Sequence, residues 1–381
     1  MDVSRSAITP RGLNRATLAR QLLLRREPLS PAEGLRRVGA LQAQEPASPY
    51  LALWARLVAF DPADLDDAFV RGDVVRASLM RLTLHAVHAE DYPAFHAAMT
   101  PSLRASRLRD RRFTESGLST DDVDRLLPDL RRFLATPRTI DEIEELVEDR
   151  LGERQPRAWW ALRTFAPLHH APTDEPWSFA RPASFVAAPT TLDPEDHDRS
   201  VQWLVRRYLA AFGPASVRDI AQFTMLRTPI LAKALEALSA EVHDVEAPDG
   251  SKLFDVPGAP RPPDDTHAPA RLLPMWDSTL LAYTDRSRII PPDIRPLVIR
   301  RNGDVLPTVL VDGYVAGTWR AIDGGVEVAT FRRIDESTWA ELAEEASGLT
   351  WVLAARDPDV YRRYARWWGK LTPEQVRRWP V

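Results

Sequence analysis

Two glutamines, Gln42 and Gln44, stand two residues apart in the stretch ALQAQEPASPY, with Ala43 between them and Pro46 and Pro49 close behind. Residues i and i+2 lie on different faces of a helix but on the same face of an extended segment. Proline disfavours a helical residue just before it. A helix arriving from SPAEGLRRVGAL is therefore expected to stop here, and the two amides to project together from a non-helical step. A glutamine amide carries one acceptor oxygen and two donor hydrogens and is no base at neutral pH. In a poorly solvated site such a pair can hold a water and present carbonyl dipoles to developing positive charge. The same residues also fit a plain polar loop between helices, so the surrounding elements decide what the spacing means.

Those elements follow a repeating order. LNRATLARQLLLRRE and SPAEGLRRVGALQ read as short amphipathic helices, the second opened by Ser30 as cap and Pro31 in the first turn. Ser48 and Pro49 repeat that start signal before YLALWARLVA, and VVRASLM and LTLHAVHAE read as a pair of strands. Three short helices and a hairpin are the order of a winged helix. The order recurs in LSTDDVDRLLPDLRRFLA (capped near Ser119), RTIDEIEELVEDRLG (a Thr139–Glu142 capping box), PRAWWALRTFAPLHHA and a wing in PWSFARPASFVAA. A third copy is the clearest: RSVQWLVRRYLAAFG closed by Gly213, then SVRDIAQFTML and TPILAKALEALSAE as a helix-turn-helix, then a hairpin around Asp249-Gly250.

PGAPRPPDDTHAPA, residues 257–270, is a proline-rich linker or strap. Beyond it PLVIRR, DVLPTVLV, YVAGTWRA and VEVATFRR, separated by Asn302-Gly303, Asp312-Gly313 and Asp323-Gly324-Gly325, predict an antiparallel meander closing into a small barrel or curled sheet. Two terminal helices, DESTWAELAEEASGL and DPDVYRRYARWWGKL, are expected after it. The expected fold class is α+β: winged-helix units at 1–97, 98–195 and 196–262, and a β-barrel-like domain with terminal helices at 263–381.

Composition narrows the function. The 381 residues include no cysteine, which excludes disulfides, thiolate metal sites and a thiol nucleophile. No apolar run has the shape of a signal peptide or approaches the ~20 residues of a membrane span, so a cytoplasmic location is expected. The formal charge of −4 conceals an uneven distribution. Seven Arg face three acids from Arg76 to Phe113, and five Arg face two acids from Leu281 to Arg301, whereas ten acids face four Arg from Ser119 to Asp149. Such a field suits one face for an anionic ligand and a compensating acidic back.

Four segments, GALQAQEPASPYLALWARL, RLTLHAVHAEDY, FGPASVRDIAQF and GDVLPTVLVDGYVAGTWR, resemble the AlkZ/YcaQ-like bacterial DNA glycosylases, in the right order over nearly the whole chain. The resemblance implies tandem winged helices and a C-terminal β-barrel in a C shape around a DNA channel. It also implies excision of N7-alkylated purines from double-stranded DNA. The family's catalytic Gln-Φ-Gln motif, Φ being apolar, falls on Gln42, Ala43 and Gln44. That form of the motif is associated with unhooking interstrand cross-links and with self-resistance to azinomycin-type alkylating natural products. The chain departs from the family pattern at Leu82, where glycine precedes Thr-Leu-His, and at Phe223 and Met225, where the pattern has Trp and a small residue.

Amides suffice for such a substrate. An N7-alkylguanine is already cationic and leaves as a neutral base, so its departure needs no added proton. What remains is to hold a water beneath C1′ and to stabilise the sugar cation. Arg81, His85, Arg286 and Arg288 are further candidates, for contacts to DNA backbone or groove. A solvated or structural role fits them as well. Asp277 reads as a residue that orients a neighbour or caps a turn. Trp159 and Trp160 fit core packing better than base stacking. His169 and His170 lack carboxylate or cysteine partners at ligand spacing, and no glycine-rich phosphate loop occurs, so neither a metal nor another cofactor is expected. Lys233, Lys252 and Lys370 are the only lysines, none beside the glutamines, which favours hydrolysis over lyase chemistry. The reading is a monomeric, monofunctional glycosylase. Its rivals are a winged-helix transcription regulator, which leaves the glutamine step without a purpose, and a protein that sequesters a DNA-alkylating metabolite.

Overall fold

The computed structural model describes residues 7–179 and 181–380. Its N-terminal part is built from local signals that the sequence states openly. Helix α1 (Pro10–Arg20) starts where the Thr9 side chain accepts the Gly12 amide and proline occupies the first turn. Ser30 caps α2 (Pro31–Val38) in the same way, and Gly39, at φ 86°, ends it. The chain then extends as β1 (Leu41–Gln42) before α3 (Ala47–Trp54), so Ser48 and Pro49 lie within the first turn of α3 rather than ahead of it. After α4 (Pro62–Arg71) come β2 (Val74–Ser78) and β3 (Leu84–His88). These strands form an antiparallel sheet in the order β1-β3-β2, which makes the glutamine step itself an edge strand.

The middle of the chain comprises α5 (Tyr92–Leu108), α6 (Arg111–Thr114), α7 (Thr120–Phe133), β4 (Arg138–Thr139), α8 (Ile140–Leu151), α9 (Pro156–Phe165), β5 (Leu168–His170) and β6 (Ser184–Ala187). Reciprocal capping boxes, Ser119 with Asp122 and Thr139 with Glu142, open α7 and α8. Strand β6 joins β4 to β5 in a second small sheet. Helix α10 (His197–Phe212) packs along α5, followed by α11 (Val217–Thr224), α12 (Thr228–Ala237) and a hairpin of β7 (His243–Glu246) and β8 (Lys252–Asp255). One buried core runs through these middle elements. Another joins the N-terminal helices to the C-terminal sheet.

Residues 257–270 carry no helix or strand, as the proline content predicts. Beyond them lie β9 (Arg271–Leu273), α13 (Arg295–Val298), β10 (Thr308–Val311), β11 (Tyr314–Ile322), β12 (Gly325–Thr330), α14 (Glu336–Ala354) and β13 (Gln375–Pro380). The meander is present, but the expected barrel is not. The sheet has the order β13-β12-β11-β10-β9, and its outer strands do not pair with each other, so it stays open. Helix α14 covers it instead, burying Trp339, Leu342, Ala346 and Leu349. Two further expectations give way to tertiary context. The run PLVIRR contributes the short helix α13 rather than a strand, with Pro296 in its first turn. The last expected helix is a 3-10 segment, Arg362–Lys370, followed by strand β13.

The Asp312-Gly313 turn shows why this hairpin has its particular residues. Both positions have positive φ, 49° and 82°, as the tight turn between β10 and β11 demands. The Gly313 carbonyl accepts the Asn14 amide at 2.8 Å, while Asp312 pairs with Arg11 at 2.7 Å and with Arg15. The turn thereby docks the sheet onto α1. Four residues on, a Cβ at Gly317 would stand 2.9 Å from Thr330 Cα and press on the Ala329 carbonyl, so only glycine fits opposite β12.

Candidate active site

The glutamine step is held by backbone bonds on three sides. Gln42 lies directly opposite His85 and Leu41 opposite Ala86, and the Ala43 N–H donates to the Leu84 carbonyl at 2.7 Å. The Gln42 N–H donates to Ser278 Oγ at 3.3 Å, and the Ala43 carbonyl accepts Arg76 Nε at 3.0 Å. Leu41 and Ala43 enter the core that joins both ends of the chain. Gln42, alternating with Leu41 along β1, leaves on the opposite side, and Gln44 follows in the bend after the strand. They differ in depth: Gln42 is 5% exposed, whereas Gln44 is open to solvent.

Arg81 and His85 flank Gln42, and Phe223 backs both of them. Arg81 Nη2 donates to Gln42 Oε1 at 2.6 Å. A guanidinium has no acceptor, so the atom facing it must be the amide oxygen. His85, paired across the strands from Gln42, projects from the same sheet face. Its Nδ1–H donates to the Thr83 carbonyl at 3.1 Å, which leaves Nε2 as a buried lone-pair acceptor without a partner among the described residues. Phe223 of α11 supports both: the Arg81 guanidinium lies 5.0 Å above its ring, and the His85 ring meets it edge-on at 6.4 Å. Burial, helped by the Arg81 charge, pushes His85 down to about 3, so its imidazole is neutral at physiological pH. Burial and the neighbouring Arg286 lower Arg81 to about 10, which leaves it cationic there.

Two of the departures from the family pattern acquire a backbone meaning. Arg81 and Leu82 have φ of 53° and 58°, and Met225, the C-cap of α11, has φ of 61°. Leu82 thus occupies a left-handed position, the conformation glycine adopts without penalty. Such a conformation costs a non-glycine residue about 1–3 kcal/mol and persists only where its surroundings hold it. Here the turn between β2 and β3 carries Arg81, whose guanidinium reaches Gln42.

The other candidates separate. Arg286 remains near: its charge acts on Arg81, its pKa is lowered by burial and by Arg295, and its Nε is buried without a partner among the described residues. Among the described residues, none of Arg81, Arg286 and Arg295 forms an ion pair. Arg288 turns into the structure, donating to the Pro214 carbonyl at 2.9 Å and lying 4.0 Å over Tyr283. Asp277 caps a 3-10 turn through Thr279 N at 3.0 Å and forms a fully buried two-pronged pair with Arg56, both bonds 2.9 Å. It therefore anchors Ser278, the residue that receives the Gln42 N–H. Glu45, the carboxylate next to the motif, is engaged by Arg363 and by Tyr364 Oη. Lys233 and Lys252 pair with Asp198 and Asp244, and Lys370 lies over Trp367. Trp159 is core, and Trp160 is covered by Arg107 and Arg112. Among the described residues no cluster of three metal-ligating side chains occurs.

Arg76 escaped the sequence reading. Among the described residues it is buried without a carboxylate partner; it grips the Ala43 carbonyl, approaches His170 Nδ1 at 3.3 Å and lies 4.6 Å from the centre of the Phe179 ring. Burial lowers it to about 9, still cationic at neutral pH. Its signal was a lone charge in the apolar strand VVRAS. The count of seven arginines around it misled, because Arg104, Arg111 and Arg112 are neutralised by Asp124, Glu115 and Asp110.

Comparisons with known proteins converge on one family. The family described as DNA glycosylase AlkZ-like matches residues 35–350. A curated relative from Streptomyces sahachiroi, named an interstrand DNA cross-link repair glycosylase, is 26% identical over 332 residues, covering 82% of this chain and 88% of its own. The solved structure of the DNA glycosylase AlkZ from the same organism superposes with a TM-score of 0.74 at 21% identity, covering 91% of this chain and 96% of that one. That likeness shows a shared mixed α/β fold. Among the described residues, no helix is long and apolar enough to cross a membrane.

Proposed function

The chain belongs to the AlkZ-like family of DNA glycosylases, and we propose that it hydrolyses the N-glycosidic bond of N7-alkylated purines, cross-linked ones included, with Gln42 and Gln44 as its catalytic residues. One observation carries this reading: Gln42 ends β1 sheltered, with its amide oxygen held by Arg81, and Gln44 stands two residues on, open to solvent. The glycosidic bond breaks with its electron pair going to the alkylated purine, which departs neutral. Water adds to C1′ and its proton passes to solvent. Between them, Gln42 and Gln44 hold that water and set a carbonyl dipole against the sugar cation. The lysines, engaged elsewhere, support hydrolysis without a Schiff base.

The same reading extends to the partner and the frame. Arg286, close enough for its charge to act on Arg81, and its neighbour Arg295 form no ion pair among the described residues and suit a backbone phosphate of duplex DNA. The recurring helix pairs with short antiparallel strands support winged-helix units at the expected bounds, and the cross-link repair for which the Streptomyces relative is named supports that setting. Self-resistance to an azinomycin-type agent follows if the cross-link is the better substrate.

The test is single-turnover excision on duplexes carrying N7-methylguanine or an azinomycin-type cross-link. Gln42→Ala and Gln44→Ala are each expected to lower the rate by about 100-fold or more, the scale of losing a preorganised group at the reacting centre, with folding intact. Near-wild-type rates in both variants would overturn the assignment. Sequence-specific binding of undamaged duplex without base release would favour the regulator.

A further inference from the structure

We infer that Arg81 is a positioning residue that acts through Gln42: its guanidinium fixes the amide so that Oε1 is held inward and the NH2 group is turned to the site. The inference rests on the glycosylase reading of Gln42 and deepens it. Three observations converge. The 2.6 Å bond joins Nη2 to Gln42 Oε1 and cannot be reversed by exchanging the amide's O and N, because Arg offers donors only. The guanidinium is shielded from DNA, since Nη1 is also buried and the Phe223 ring lies 5.0 Å from the group's central carbon. The backbone is left-handed at both Arg81 and Leu82, so the residue that makes this bond is held in an uncommon conformation between β2 and β3.

A free glutamine amide samples several rotamers and two end-for-end orientations, and a charge-assisted bond selects one of them. Gln42 is then committed to donate, for instance to the oxygen of the attacking water. The acceptor role falls to Gln44, whose amide is open. This differs from the phosphate contact expected of an arginine beside a catalytic step, and the two roles separate experimentally.

The experiment compares Arg81→Met and Arg81→Lys with wild type in the full-length protein, reading single-turnover excision of N7-methylguanine at saturating enzyme, the Kd for the same duplex, and thermal stability. A positioning role predicts that Arg81→Met lowers the excision rate about 10-fold to 100-fold, the worth of a hydrogen bond to a charged group, with Kd nearly unchanged and partial rescue by lysine. Added to Gln42→Ala, the same substitution is expected to have no further effect. A weaker Kd and a smaller salt slope at an unchanged bound-state rate would overturn the inference in favour of a phosphate contact. The side-chain amide resonance of Gln42, identified by its loss in Gln42→Ala, supplies a readout independent of turnover. It is expected to shift in Arg81→Met, and an unmoved resonance would overturn the contact even if Arg81→Met proved unstable. A wild type inert on every lesion would instead refute the glycosylase reading, while the resonance would still decide the contact.

Discussion

Removing the Asp277 carboxylate tests whether the site is held from behind. In the native structure Asp277 receives two Arg56 bonds at 2.9 Å and caps Thr279 N at 3.0 Å, with both charged side chains wholly buried. Asp277→Ala leaves the Arg56 charge without its counter-ion. The acceptors remaining to it are the Ala52 carbonyl, Thr279 Oγ1 and a long contact to Gln21. Breaking one half of a buried pair costs about 3–5 kcal/mol, a large share of the roughly 5–15 kcal/mol that holds a typical domain together. Replacing both partners, as in Arg56→Met with Asp277→Leu, removes the stranded charge and is expected to cost less than Asp277→Ala alone. Urea unfolding gives these differences as shifts in midpoint at constant slope. Because Ser278 follows Asp277 and holds the Gln42 N–H, excision by the folded fraction should also fall in Asp277→Ala. A loss below about 1 kcal/mol, or a double variant that costs the sum of its singles, would refute the reasoning.

The remaining expectations concern pH and the two arginines of the 3-10 turn Arg286–Arg288. Burial lowers His85 to about 3 and His96 to about 4, so below the unfolded value of about 6.5 the unfolded chain takes up protons that the native state does not. Stability from these groups is therefore complete above that value and lost as pH falls, by about 1.4 kcal/mol per histidine between pH 7.5 and 5.5; urea midpoints that do not move would contradict it. Excision by folded enzyme is expected to show no His85 inflection over the same range, which a pH–rate profile checks directly. Arg286→Ala should reduce the slope of log Kd against log salt by about 0.9 for one lost phosphate contact. Arg288→Ala should leave that slope alone and lower the melting temperature, since its bonds go to Pro214 and Tyr283.

Taken alone, the sequence determined what is local. Ser30, Ser119 and Thr139 cap helices, and Asp312-Gly313 and Asp249-Gly250 make turns, because those signals act within three or four residues. That the chain is not helical at Leu41–Gln42 was legible for the same reason, since Pro46 and Pro49 argue against a helix running through it. Tertiary structure decided the rest. Whether the meander closes depends on which strands meet at its edges, and the Val376 neighbourhood that supplies β13 has no strand signal strong enough to announce itself. Arg76, Arg81 and Ser278 reach the glutamine step from 33, 39 and 236 residues away. Arg81 does so from a left-handed turn that Leu82 gives no reason to expect. Composition counted arginines as one basic face, whereas the fold neutralised some, buried Arg76 against a carbonyl, and left Arg81 to hold an amide. Spacing along the chain encodes which face a residue takes, but not which distant side chain burial will bring against it.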